Sequence, residues 1–204
     1  MAQIFSFDAP GPEVFADWAA RPNTLPDGFQ TLPGVFSADG VDPASELLAE
    51  ALPESLPRRV ADLGAGWGYL SRAILARTGV EELHLVEAEA AALAIARRNI
   101  TDPRAQFHWA DATRLRLGGP VDAVVMNPPF HTGRSADPAL GAAFITAAAG
   151  YLGPAGTLWM VANRHLPYDT PLAAAFRDIK EIGSNRSFRL IRAHRPFAKP
   201  RGAR

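Results

Sequence analysis

From residue 58 onward the chain alternates between short apolar runs of strand character and longer stretches of helical character. Residues 60–63, 83–86, 106–109, 121–126 and 157–162 read as strands, and 67–77, 88–99, 138–152 and 171–178 as helices. Repeated βα units bury their apolar faces only as a parallel sheet with helices on both sides. The predicted class is therefore α/β, a doubly wound and mostly parallel sheet. The run 121–126 is continuously apolar, as befits a central strand covered on both faces, while 188–193 alternates like a strand near the C-terminal edge.

Before this pattern lies a leader, residues 1–42, rich in proline and glycine and read as mostly irregular, with one short helix expected over 13–20. A second helix is expected over 43–52, with Asp42 as its N-cap and Pro43 at its first position. The folded domain is accordingly placed at 43–204. In a sheet of this kind ligands bind beyond the carboxyl ends of the strands, so those ends carry the functional reading.

The first strand runs into ADLGAGWGYLS, where Asp62, Gly64, Gly66 and Gly68 are spaced D-x-G-x-G-x-G. Glycines let the backbone turn sharply and approach a ligand with no Cβ in the way. Tyr69 stands where the dehydrogenase pattern G-x-G-x-x-G needs its last glycine. The second strand ends at Glu87, where a carboxylate can accept from both hydroxyls of a ribose, or simply favour the start of the next helix. The third ends at Asp111, an acceptor for an adenine amine or an ordinary turn residue. The fourth ends in VVMNPPFHTG. Two prolines cannot continue a sheet, and Asn127, preceding one, is pushed into an extended conformation. Its side-chain oxygen and the Pro128 carbonyl are two acceptors, matching the two hydrogens of an –NH₂ group, and Phe130 offers a face for a base to stack on.

These motifs together resemble the class I S-adenosylmethionine-dependent methyltransferases, in particular the amino-methylating branch carrying (N/D)PP(F/Y/W). The finer resemblance is to small-subunit (16S) ribosomal RNA guanine-N2 methyltransferases, through TLPGVFSADGVDPASELL (31–48), NPPFHTG (127–133) and VANRHLPY (161–168). It covers roughly residues 30–197. The resemblance implies a seven-stranded Rossmann-like sheet with an antiparallel C-terminal edge strand, S-adenosylmethionine as cofactor, and ribosomal RNA or the small ribosomal subunit as partner. It implies that Asp62, Gly64, Ala65, Gly66 and Gly68 hold the methionine part, that Glu87 with Ala88 takes the ribose, and that Asp111 with Ala112 takes the adenine. Asn127, Pro128 and Phe130 would be catalytic, Asn127 also bordering the cofactor. His131, Arg134, Asn163 and Arg164 would join Phe130 in holding the substrate. Two departures from the family's pattern are expected: the additional N-terminal domain usual in the family would be missing, and Arg189 would stand where lysine is expected.

The chemistry implied is methyl transfer to the exocyclic N2 of a guanine. A protein glutamine N5-methyltransferase would need the same two acceptors, although tyrosine is usual there in place of Phe130; a non-catalytic domain binding cofactor or RNA is a third reading. His131 can be read as a base, a phosphate contact or a structural residue. Tyr168 either lines the site or packs the core. His84, His108, His165 and His194 are scattered without metal-ligand spacing, so no metal is expected.

Charge agrees with an RNA partner. Net charge is zero, yet residues 1–54 hold nine acidic side chains against Arg21 alone, and beyond Glu181 there are seven basic residues and no acid. Such a basic end suits a polyanion, or forms a solvated tail. The 48% hydrophobic and 21% charged composition is globular, and its most apolar stretch is too short to span a bilayer. The absence of cysteine fits a cytoplasmic location.

Overall fold

The computed structural model describes residues 20–129, 131, 132, 135, 136 and 138–197, together with residues 8, 11, 13 and 14. The helix expected over 13–20 and the basic residues after 197 fall largely outside them. Seven strands form the sheet: β1 (Arg59–Leu63), β2 (Glu82–Glu87), β3 (Ala105–Trp109), β4 (Val121–Met126), β5 (Leu152–Asn163), β6 (Phe176–Ser184) and β7 (Phe188–Pro196). Among the described residues five helices accompany them: α1 (Pro43–Ala51), α2 (Tyr69–Leu75), α3 (Ala90–Asn99), α4 (Pro138–Tyr151) and α5 (Asp169–Ala175). The strand order is β6-β7-β5-β4-β1-β2-β3, parallel from β5 through β3 and antiparallel wherever β7 pairs. This is the expected doubly wound, mostly parallel sheet.

The β4 residues Val121 and Ala123 to Met126 are fully buried, because β4 lies between β1 and β5 with helices above and below. One layer packs Leu48 of α1, Ile74 of α2 and Ala96 of α3 on Val60, Leu83 and Val125. The other packs Ile145 of α4 and Leu172 of α5 on Leu63, Val124 and Met126. Leu48, Ile74, Ile145 and Leu172 are all fully buried, each worth about 1.5–3 kcal/mol relative to exposure.

Local chemistry sets the boundaries that differ from expectation. Helix α2 starts at Tyr69 rather than 67, since Gly68 caps it with φ of 96°. Helix α3 starts at Ala90 rather than 88, since Glu89 is extended and its amide donates to Glu87 Oε1. The helix expected over 171–178 ends at Ala175. Phe176 turns extended and is buried, and β6 follows. The charged sequence FRDIKEIGS hides this strand because it lies at the sheet edge, where exposed charges discourage further pairing. The antiparallel C-terminal strand β7 therefore sits one place in from the edge.

The leader is more ordered than its proline and glycine content implies. Asn23–Thr24 and Gln30–Thr31 form an antiparallel hairpin, and Phe29 and Val35 are buried against Trp67, Ala92 and Ile95. Phe29 meets Trp67 edge-on with ring centroids 4.9 Å apart. Asn99, at the end of α3, donates to Gln30 O and Trp67 O and accepts from Gln30 N, all within 2.8 Å. The leader is thereby fastened to the glycine turn after β1. Among the described residues no helix is long and apolar enough to cross a membrane.

Candidate active site

The turn after β1 has three left-handed residues, Gly64, Gly66 and Gly68, with φ of 75°, 55° and 96°. An L side chain is strained in that region, which explains the glycine spacing. The turn is tied to the end of β2. Gly64 and Ala65 both donate their amides to Val86 O, at 2.9 and 3.1 Å, and Gly66 N donates to Glu87 Oε2 at 2.9 Å. Asp62 stands behind the turn, fully buried, accepting from Ser71 Oγ of α2 at 2.6 Å. Burial pushes its carboxyl up to about 7, against the opposing Ser71 hydrogen bond and with the Glu87 charge adding to the rise. Its second oxygen has no hydrogen-bond partner among the described residues.

Beyond β2, Glu87 bridges the glycine turn and the start of α3 through its two oxygens. Glu89 beside it is raised from its ordinary value by burial and then by the Glu87 charge. Beyond β3, Asp111 Oδ1 accepts from both Thr113 N and Thr113 Oγ1, at 2.8 and 2.7 Å, which holds its carboxyl below the usual range. Ala112 O accepts from the Tyr151 hydroxyl of α4 at 2.9 Å. Burial pushes that phenol up to about 12, so it stays protonated and donating.

Beyond β4, Asn127 is half-buried, and its Nδ2 donates to Asp42 Oδ2 at 2.9 Å and Ser45 Oγ at 3.0 Å. A carboxylate only accepts, so it fixes which end of the Asn127 amide faces it. Asp42 Oδ2 also accepts from Ser45 N at 2.8 Å as the α1 N-cap. The leader supplies a further wall through Phe36 and Ser37. Trp67 Nε1 donates to Phe36 O at 3.0 Å, and Ser37, left-handed at φ of 55°, donates its hydroxyl to Gly40 O.

These elements enclose one cavity of about 460 Å³, within the roughly 300–1,000 Å³ range of small-molecule sites. Gly64, Ala65 and Gly66 line one side, Glu87, Ala88, Asp111 and Ala112 the next, and Asn127 and Pro128 the rim beyond β4. Asp62 and Gly68 do not face it. Asp62 supports the turn from behind, and Gly68 packs toward Ile100 of the segment after α3. Asn163 and Arg164 lie outside the wall; Arg164 N donates to Ser187 O, and its guanidinium is 3.9 Å from Glu181. Tyr168 is buried in the core and does not line the cavity. Phe130 and Arg134 lie outside the described residues, and His131 is described only by its backbone, in a short pairing with Ala136. From sequence alone Phe36, Ser37 and Ser45 carry no motif that marks a site, and Asp42 reads only as a cap. The signal was present in the run FSADGVDPAS, whose small polar residues lie next to a helix start.

The sheet order, the glycine turn and the acceptors at successive strand ends define the methyltransferase fold class. The chain belongs to the methyltransferase small domain family, whose model matches residues 27–192. It is 30% identical over 206 residues to ribosomal RNA small subunit methyltransferase C of Hahella chejuensis, covering 95% of this chain and 59% of that protein. It is 32% identical over 203 residues to ribosomal RNA large subunit methyltransferase G of Alcanivorax borkumensis, covering 96% and 52%. Among solved structures it is similar to a T. thermophilus 16S rRNA N2 methyltransferase in complex with AdoMet and guanosine, at 32% identity and a TM-score of 0.70. That match covers 87% of this chain and 50% of the other. The chain thus spans about half the length of these relatives.

Proposed function

We propose that this protein transfers a methyl group from S-adenosylmethionine to the exocyclic N2 amine of a guanine in ribosomal RNA. The observation that carries the reading is the placement of Asn127 and Pro128 on the rim of the same cavity that Glu87, Asp111 and the glycine turn line. Likeness to a structure holding AdoMet and guanosine supports both ligands.

The cavity's donor and acceptor set suits the cofactor. The tight turn at Gly64–Gly66 admits the methionine part close to the backbone, with Asp62 holding the turn rather than touching the ligand. Glu87 receives the ribose hydroxyls on lone pairs that its two amide bonds leave over. Asp111 and Ala112 face the adenine, their positions set by Thr113 and Tyr151. When bound, S-adenosylmethionine supplies an activated electrophilic methyl, so the protein's task is alignment. The guanine N2 lone pair is delocalised into the ring. Acceptance of both amino hydrogens, by Asn127 Oδ1 and the Pro128 carbonyl, favours a more tetrahedral nitrogen and stabilises the positive charge growing there. The proton leaves after attack. Phe130 stacks on the base, which must first be unpaired or flipped out. His131, Arg134, Asn163 and Arg164 serve the RNA side, and the basic C-terminal residues add sequence-independent attraction to phosphates.

The test offers radiolabelled S-adenosylmethionine with naked small-subunit rRNA, naked large-subunit rRNA, assembled small subunits and a release-factor protein in parallel. Label in small-subunit rRNA or in the assembled small subunit, as N2-methylguanosine, is the expected result. Label in protein alone would overturn the reading.

A further inference from the structure

Asn127 can serve as an acceptor only if its amide is held one way round, and a free asparagine side chain flips readily between two nearly isosteric orientations. Here both Nδ2 hydrogens are engaged, by Asp42 Oδ2 at 2.9 Å and Ser45 Oγ at 3.0 Å. Those partners come from residues 85 and 82 positions earlier in the chain, across the mouth of the same cavity. We propose that Asp42 and Ser45 are positioning residues for methyl transfer: they lock the Asn127 amide with Oδ1 turned toward the target nitrogen. The proposal rests on the function assigned above and extends it to two cavity-lining residues that act on the reaction through Asn127.

Three observations give this pair its leverage. Asp42 is fixed by its own structural duty, because Oδ2 simultaneously caps α1 through Ser45 N at 2.8 Å. Helix α1 is in turn clamped into the core by fully buried Leu48, so the anchor moves only with the helix. A carboxylate drawing on the amide N–H also polarises the amide and makes Oδ1 a stronger acceptor, as linked hydrogen bonds reinforce one another. Ser45, itself buried, occupies the second hydrogen, which would otherwise permit rotation.

The test uses the full chain and separates positioning from folding. Asp42→Ser retains an N-cap, since serine caps about as well as aspartate, but its shorter side chain does not reach Asn127. It should lower kcat by about 10²-fold, the scale of a misplaced group, with the cofactor Kd unchanged. Ser45→Ala should lower kcat in the same direction. A donor–acceptor exchange gives a reading no merely structural role would produce. Asn127→Asp alone sets two carboxylates face to face, whereas Asp42→Asn with Asn127→Asp faces an amide donor to a carboxylate, the new amide turning about χ2 so that its oxygen keeps the Ser45 N cap while its nitrogen donates. The double variant should exceed Asn127→Asp in kcat by roughly tenfold, a coupling normal for side chains in direct contact. Side-chain NMR of the Asn127 amide, assigned by its loss in Asn127→Asp, should show protons protected from exchange in the wild type and unprotected in Asp42→Ser. Wild-type kcat in both Asp42→Ser and Ser45→Ala, or Asn127 amide protons as protected in Asp42→Ser as in the wild type, overturns the proposal. If the wild type methylates no guanine, the functional reading fails and takes the catalytic role of the pair with it, while the NMR result independently decides whether the pair orients the amide.

Discussion

At the scale of single residues, Asn127 and Asp62 carry opposite kinds of consequence. In the proposed reaction Asn127 acts on the nitrogen being methylated, so Asn127→Ala should lower kcat by about 10²–10³-fold, the cost of removing one charge-stabilising group. Cofactor affinity, read by calorimetry, should stay near the wild-type value. Asp62 acts on stability. Its carboxyl is buried and raised to about 7, so the folded state holds a proton there that the unfolded chain releases near its ordinary value of about 4. Between those values the native state binds more protons than the unfolded one, and stability falls as pH rises. The contribution is complete below about pH 4 and is lost as pH passes through about 7. Urea midpoints should therefore favour Asp62→Asn over the wild type more at pH 8 than at pH 5, the neutral amide having nothing to ionise. Asp62 shows why a motif can be legible while its roles are not. The spacing D-x-G-x-G-x-G locates the turn, but only the fold shows that the aspartate faces Ser71 and the core.

At the scale of elements, the leader and α4 connect the site to its surroundings. Asn99 holds the hairpin at Gln30 and the carbonyl of Trp67 with three hydrogen bonds. Asn99→Ala leaves part-buried backbone groups without partners and should cost about 1–3 kcal/mol, read as a lower urea midpoint together with faster proteolysis of the leader and weaker cofactor binding. Helix α4 gives the complementary case. Gly141 packs against Tyr168, and a Cβ there would overlap the Tyr168 hydroxyl. Alanine favours a helix by up to about 1 kcal/mol over glycine, yet Gly141→Ala should lower the melting temperature because overpacking of roughly 1–3 kcal/mol outweighs it. Element existence was largely readable from hydrophobic period: β4 was expected over 121–126 and spans Val121–Met126. β6 was not, since an edge strand needs little apolar surface and FRDIKEIGS carries a helix-like density of charge. The leader's order was hidden for another reason. Its core is built from aromatic contacts to residues nearly 40 positions later, such as Phe29 with Trp67, and no local pattern encodes them.

At the scale of the whole molecule, sheet order brings distant residues onto one rim. β1 lies between β2 and β4, so the glycine turn, Glu87 and Asn127 fall side by side although they span residues 64–127. The most direct measurement is nucleoside mass spectrometry of rRNA after reaction with S-adenosylmethionine, comparing wild type with Asn127→Ala at saturating cofactor. The proposed transfer yields N2-methylguanosine with the wild type and almost none with the variant, cofactor binding being equal. Methylation at another atom or on another nucleoside, or equal yields from the two proteins, would contradict it.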